Sequence, residues 1–518
     1  MKLKDIHWAD YAATHIIKKR GPKKEYICAA GITPSGVVHI GNFREIITTD
    51  LIVKALERKE KKVKFVYFWD DYDRFRKVPK NLPKKTYKHL EKYIGCPLAN
   101  VPDPYECHKN YAEHFEKEFE ESIKELGLKI NFIYQAKEYK KCRYANEIKR
   151  CLNVREKIIE ILNKYRREPL DKDWWPINIY CENCNKDSIR ILDYDGNYKL
   201  RYECDCGFSN ELDFRKKGVV KLKWRVDWPM RWFYYKIDFE PAGKDHFTKG
   251  GSMDTSRELI KDIWNKKEPY SFPYEWISFK GGKQFSSSEG FTISMNDLLE
   301  IYEPKVIRYL FVSTRPNVDF AISFDLDVLK IYEDFDTTEK IYFDKLKVNK
   351  KREEKEKRNY ELSCIKIPKN FPKQVTFRHL TVLTQIYEGD INQVLRKLKN
   401  KDIKNRAICA WNWVQKYAPN DMKFKVHDKI SKEIKKILTK KQKEALKELY
   451  KRLDKKHNEK ELFNEFYDIC NKLKIKNTEF FEGAYLALIG KKKGPKLAPF
   501  ILVLGNKRVK NLLKQLFV

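Results

Sequence analysis

The 518-residue sequence has only 12 cysteines and 5 methionines. Cysteine this sparse excludes a disulfide scaffold. Four of the thiols fall in two close pairs, Cys181/Cys184 and Cys204/Cys206, a spacing that suits metal rather than oxidation. No stretch approaches 18 uninterrupted apolar residues and no apolar run opens the sequence, so neither a membrane span nor a signal peptide is expected, and the compartment is read as cytoplasmic. Two familiar nucleotide signatures are missing: no GKS or GKT follows a glycine-rich loop, and there is no GxGxxG. Acid is also short. Against 108 Lys and Arg stand 74 Asp and Glu, a formal charge of +34. The excess is uneven, +9 over residues 1–340 and +25 over 341–518. A segment that positive attracts a polyanion. What remains is ample: 42% hydrophobic and 14% aromatic residues, enough for several cores in three or four domains.

The pattern predicts an α/β fold. YICAAGI (26–32) reads as a buried strand, TPSG as a turn, the run from His39 to about residue 59 as a helix, and FVYFW (65–69) as a second strand. Ligands of such sheets sit beyond the carboxyl ends of the strands, which assigns segments 33–42 and 70–74 to one rim. Strand-like character resumes in VKLKWRVDW, WFYYKIDF and EWISFKG. The expected organisation is a Rossmann-like sheet (1–100 and 219–290) interrupted by a zinc-binding insertion (101–218), then a mixed connecting stem (291–344) and a basic helical region (345–518). Pro or Gly breaks are expected near 368, 372, 419 and 483.

The sharpest segment runs Gly31-Ile-Thr33-Pro-Ser-Gly36-Val-Val-His39-Ile-Gly41-Asn42. A helix N-terminus offers unpaired N–H groups and the positive end of its dipole. His39 and Asn42, three apart, share the first turn, where both can donate to phosphate oxygens. Gly36 allows a tight turn and Gly41 lets a flat base or ribose approach. A second loop, Lys280–Gly290, combines glycines with Ser286 and Ser288 between flanking lysines, Lys280 and Lys283. Such a loop can close over phosphates.

Two groups carry metal-ligand chemistry. Cys181, Cys184, Cys204 and Cys206 suit a tetrahedral structural zinc, with a hairpin-like segment between the pairs. Asp103, Cys107, His108 and His114 form a weaker mixed O/S/N set, with Asp103 and Cys107 about one helical turn apart.

At these residues the chain resembles the class I lysyl-tRNA synthetases of archaeal type. TPSGVVHIGN matches that class's first signature with Asn42 in place of its final histidine. FSSSEG (285–290) is similar to the second, and FWDDYDRFRKVPKN and EPAGKDHFTKGGSMDTS also resemble family segments. The resemblance implies a class I catalytic core with a helical anticodon-binding tail. It implies ATP held by Gly31, Thr33, Gly36, Gly41 and His246, catalysis by His39, Asn42 and the loop residues Lys283, Ser286 and Ser288, and Mg²⁺ with the phosphates. It also implies metal at the Asp103 group, L-lysine and tRNA(Lys) as partners, and transfer to the 2′-hydroxyl. Where the family's loop carries lysine this chain has Ser287 or Glu289, so Lys280 or Lys283 is expected to supply the charge. A lysine ammonium needs carboxylates and gains from aromatic faces. Tyr67, Asp70, Asp71, Trp232 and Asp245 are the expected pocket, with Trp224 and Trp228 alongside. Trp411, Trp413, Tyr417 and Tyr485 are candidates to stack on RNA bases, and Arg406, Lys416 and Lys491–Lys493 to hold phosphates. Three rivals stand beside this reading: a glutamate or arginine enzyme of the same class, using Arg74 or Arg76; an ATP-using nucleotidyltransferase with no tRNA role, against which the basic helical tail speaks; and a zinc-stabilised RNA-binding protein without catalysis, which leaves the first signature without a purpose.

Overall fold

The computed structural model describes residues 4–280 and 293–517. They fall into two compact units, the first comprising residues up to 298, 304–322 and 341–367, the second 299–303, 323–340 and 368 onward.

The first unit is built on a parallel sheet. Tyr26–Ile32 pairs with Val63–Trp69 in register Tyr26↔Val63 through Ile32↔Trp69, and Val63–Trp69 pairs in turn with Asn131–Tyr134. On the other side of the first strand, Cys28 bridges Phe239 and Phe239 bridges Tyr270, both parallel. The spatial order is therefore 131–134, 63–69, 26–32, 237–242, 270–274. The order reverses beside Tyr26–Ile32, the switch point at which open parallel sheets bind ligands. Helix Ile40–Arg58 crosses between the first two strands and buries Ile46, Ile47, Leu51, Ala55 and Leu56.

Three expectations need correction. Asn131–Tyr134 belongs to the core sheet although it lies beyond residue 100; four residues are too few to show strand periodicity. Residues 224–234, expected as strand, form a helix, Trp224–Tyr234, with Pro229 inside it. The spacing of Trp224, Trp228 and Trp232 is helical, and the rings lie side by side at 5.4 and 5.0 Å. Helix Lys350–Ser363 packs with the first unit, not with the tail. There Arg358 bonds the buried Asp10 carboxylate at 2.7 Å.

Within the insertion, Ile189–Tyr194, Lys199–Cys204 and Ser209–Asp213 form an antiparallel sheet with a bulge between Ile191 and Asp193. The second unit is helical. Gly483 is not a break: it sits inside helix Asn477–Ile489, where a Cβ would come within 3.1 Å of Gln442 on helix Lys440–Arg452, so it permits close helix packing. No helix of the described residues is long and apolar enough to cross a membrane.

Candidate active site

The first signature lies where the switch point puts it. Gly31, one residue before the end of its strand, is tightly constrained, because a Cβ there would meet the Phe68 carbonyl oxygen at 2.9 Å. The chain then turns through 33–38 and enters the helix at Ile40. His39 is the N-cap. Its Nδ1 accepts from the Gly41 N–H at 3.1 Å, and its own N–H donates to Asn42 Oδ1 at 3.3 Å. His39 and Asn42 thus share the first turn as expected, and part of their polar capacity closes the helix end. With Nδ1 accepting, the ring proton of the neutral imidazole resides on Nε2. Burial pushes the imidazole down to about 4, so it is a neutral donor at physiological pH. Thr33 Oγ1 donates to Asp73 Oδ2 at 3.1 Å, tying the signature turn to the rim after Val63–Trp69.

The rim carboxylates are largely answered from within. Asp70 is buried and accepts from Arg231 Nη1 at 2.7 Å. Burial raises its carboxyl to about 6, against the pull of Arg231. Asp71 Oδ1 accepts the Ala136 N–H at 2.7 Å, fixing the turn after Asn131–Tyr134. Burial raises it to about 7. Asp73 pairs with the buried Lys221 at 2.9 Å. Asp227 accepts the Tyr139 hydroxyl and lies 3.5 Å from Arg231 Nε. The tryptophans are similarly engaged: Trp228 and Trp232 both donate to Glu240, at 3.0 and 2.6 Å. Trp232 is almost fully buried, so it is a wall of the core and its Nε1 is not offered to a ligand. Asp245 is exposed on the turn Lys244–Phe247. His246 stacks obliquely over Trp224 at 5.5 Å and its Nδ1 lies 3.1 Å from Ser252 Oγ.

One acidic residue escaped the sequence reading. Glu45, on the second turn of the signature helix, accepts the Gly31 N–H at 2.9 Å and the Tyr274 hydroxyl at 2.8 Å. Neither donor carries charge, and among the described residues Glu45 forms no salt bridge. Burial raises its carboxyl to about 8. The buried Tyr67 lies against the same carboxyl, whose charge, after burial, helps keep the Tyr67 phenol un-ionised. Glu45, Tyr67 and Tyr274 therefore form a cluster of one carboxyl and two rings beside Gly31, with no cation paired to the carboxyl among the described residues. In sequence Glu45 is one charge in a helical run, with nothing to separate it from a solvated helix face.

Both metal groups assemble. Cys181, Cys184, Cys204 and Cys206 bring their sulfurs within 4.8 Å of one another. The Cys184–Cys204 and Cys181–Cys206 separations, 3.6 and 3.8 Å, match sulfurs about 2.3 Å from a shared tetrahedral centre. The Phe208 N–H leads in holding the Cys206 thiol down to about 6. Asp103, Cys107, His108 and His114 also converge. Cys107 Sγ lies 3.1 Å from His108 Nδ1 and 3.2 Å from His114 Nδ1, and His114 Nδ1 lies 3.4 Å from Asp103 Oδ1. Asp103 and Cys107 are not on a helix as expected. A tight turn holds them, Asp103 accepting the N–H groups of Tyr105, Cys107 and His108, with Glu106 at φ +60°, and only His114 comes from a helix, Tyr111–Lys124.

The sequence profile described as "tRNA synthetases class I (K)" matches residues 6–366, and one described as "Anticodon binding domain" matches 416–516. The chain belongs to the class I (K) tRNA synthetases. Among curated relatives, the lysine–tRNA ligase of Borreliella burgdorferi is 45% identical, covering 98% of this chain and 99% of its own length. That of Treponema pallidum is 43% identical, with 98% of both covered. That of Pyrococcus horikoshii is 41% identical, covering 97% of this chain and 98% of its own.

In this synthetase the second signature, with Lys283, Ser286 and Ser288, lies outside the described residues. Several tail candidates prove structural. Arg406 is buried between Glu303 (2.6 Å) and Asp336 (2.7 Å), where its charge is consumed internally. Trp413 is buried and donates to the Phe324 carbonyl at 2.8 Å. Tyr485 is buried too, its hydroxyl bonded to the Pro495 carbonyl. Lys491 reaches the Asn420 carbonyl at 2.6 Å and Lys492 the Glu482 carboxylate at 3.3 Å, both on the surface.

Proposed function

We propose that this synthetase activates L-lysine with ATP and transfers it to tRNA(Lys). The lysine carboxylate attacks the α-phosphorus of ATP, the bond to the β-phosphate oxygen breaks, and pyrophosphate leaves. The 2′-hydroxyl of the terminal ribose then attacks the adenylate carbonyl and AMP departs. No protein nucleophile takes part; the chain aligns reactants and stabilises developing charge. The start of helix Ile40–Arg58, with His39 and Asn42, steadies phosphate oxygens. Gly31, Thr33, Gly36, Gly41 and His246 line the nucleotide, and Lys283, Ser286 and Ser288 close on the phosphates. Mg²⁺ accompanying ATP would neutralise part of the phosphate charge.

The observation that carries the choice of lysine is Glu45. A partly buried carboxyl without a cationic partner among the described residues, flanked by Tyr67 and Tyr274, complements an alkylammonium and rejects a carboxylate. Asp70 and Asp71 then act as supports of the rim, with Trp232 behind it and Asp245 toward the solvent side. A glutamate enzyme would need an unengaged guanidinium beside Glu45, whereas Arg231 is taken by Asp70, Arg74 lies 3.3 Å from Asp187, and Arg76 lies with that same Asp187. The thiolate set fits structural zinc, and the Asp103 set offers a second zinc site of mixed ligands. Residues 416–516 bind the anticodon end.

ATP–pyrophosphate exchange with each amino acid in turn, with and without tRNA, tests the reading. Exchange supported by lysine is expected, and exchange supported by glutamate or arginine instead overturns it. Metal analysis of the purified protein tests the zinc assignments, with one to two zinc per chain expected and less than one counting against both.

A further inference from the structure

Arg44 and Glu45 are consecutive on helix Ile40–Arg58 and point to different neighbours. Glu45 is held by the Gly31 N–H and the Tyr274 hydroxyl. Arg44 reaches instead to the chain between helix Pro304–Val312 and strand Phe320–Ile322. Its Nη2 donates to the carbonyls of Arg315, Pro316 and Val318 at 2.8, 2.9 and 2.8 Å, and the guanidinium lies 4.9 Å from the Phe320 ring centre. Arg44 is only 3% exposed, and among the described residues it closes no salt bridge and its Nη1 has no hydrogen-bond partner. Burial lowers it to about 10, so it stays charged at neutral pH. Burying such a group is unfavourable, and three peptide carbonyls converging on one nitrogen offset that.

One of those carbonyls is shared. Pro316 also accepts the Glu275 N–H at 2.8 Å. Glu275 follows Tyr274 directly, at the end of a strand of two residues, Pro273–Tyr274, which pairs only with Ala242–Gly243. So short a pairing is a weak hold on the tyrosine. The contacts close a circuit: Arg44 to the Pro316 carbonyl, that carbonyl to the Glu275 N–H, and the Tyr274 hydroxyl back to Glu45. Both ends of the circuit leave adjacent residues of one helix, so only the span between them can drift. We propose that Arg44 is a positioning residue for lysine selection: by anchoring residues 315–318 it holds Tyr274 where its hydroxyl aims the Glu45 carboxyl at the arriving ammonium. The inference rests on the reading of Glu45 as the acceptor of the lysine side chain. Arg44 itself touches no substrate.

The test is ATP–pyrophosphate exchange in the parent chain, Arg44→Lys, Tyr274→Phe and the double variant, with lysine varied at saturating ATP and ATP varied at saturating lysine. Far-UV circular dichroism and thermal melting report folding. Arg44→Lys keeps the charge and loses the planar fork. The KM for lysine is expected to rise about tenfold in Tyr274→Phe, the order expected for one hydrogen bond to a charged acceptor, and several-fold in Arg44→Lys. In both, kcat and the KM for ATP should stay within about twofold of the parent. Once Tyr274→Phe is in place, Arg44→Lys should add little, because the hydroxyl it acts through is already gone. An unchanged KM for lysine in Arg44→Lys overturns the proposal. So do losses that multiply in the double variant, or equal losses in lysine, ATP and kcat, which mark a purely structural role. Should Arg44→Lys fail to fold, Phe320→Leu replaces it in the same cycle; it removes the ring beside the guanidinium but no hydrogen bond, and the same pattern is expected with a smaller rise. A parent that exchanges with no lysine, or Tyr274→Phe with the parent's KM for lysine, removes the Glu45 reading and this inference with it. Tyr274→Phe that loses lysine while Arg44→Lys behaves as the parent removes only the role of Arg44.

Discussion

Asp70 and Glu45 are two carboxyls on one rim, and they are treated in opposite ways. Asp70 follows strand Val63–Trp69 and meets the buried guanidinium of Arg231 at 2.7 Å. Glu45 sits on the second turn of the helix that precedes that strand and, among the described residues, accepts only from a peptide N–H and a phenol. Burial raises both, to about 6 and about 8, and the ion pair is what keeps Asp70 the lower. An acid in a cleft is therefore a weak pointer to a cationic ligand by itself. The informative acid is the one whose charge the fold leaves unanswered.

The contrast can be broken most forcefully at its internal pair. Arg231→Met strands Asp70 and Asp227, and a loss of about 3–5 kcal/mol of stability is expected by chemical denaturation. With the cation gone, the folded-state pKa of Asp70 rises further above its unfolded value, so the deficit should be larger at pH 8 than at pH 5. A deficit that is the same at both would mean that the pair is not the cause. Next comes the ligand side. Glu45→Gln keeps both hydrogen-bonded neighbours but cannot ionise, and kcat/KM for lysine should fall about 100-fold or more, on the order of 3 kcal/mol, with the KM for ATP nearly unchanged. Equal losses for lysine and ATP would demote Glu45 to a helix support. A smaller effect is proton linkage. Free Glu45 is mostly protonated below pH 8, and an arriving ammonium favours its ionised form, so lysine binding should release a proton and tighten about tenfold per unit between pH 6 and 7.5. Calorimetry in buffers of differing ionisation enthalpy reads the proton directly, and Glu45→Gln should abolish the release. The smallest effect belongs to Asp70→Asn, which retains a hydrogen bond to Arg231 and should weaken lysine and ATP alike, by less than about tenfold.

Much of this was legible in the sequence. The strand at 26–32, the helix starting beside His39 and the two metal-ligand groups follow from apolar runs, turn residues and Cys/His spacing, all local signals. What escaped was set by tertiary context. Trp224–Tyr234 looked like strand because its bulky apolar residues and Pro229 mask a helical repeat carried by three tryptophans. Arg406 looked like a phosphate ligand because sequence cannot reveal that Glu303 and Asp336 converge on it. Glu45 was invisible because its meaning depends on a missing partner, and an absence of charge in three dimensions leaves no trace in a string.

Gly31 has a consequence for how such an enzyme can vary. Its bare α-carbon lets the Phe68 carbonyl come closer than any side chain would allow, so the gap between the nucleotide turn and the acidic rim is gauged by a single absent methyl. Enlarging that position would wedge two neighbouring strands apart and shift both halves of the pocket at once. The amino-acid hole and the phosphate cradle are thus ruled off the same mark, and neither can be resized without the other.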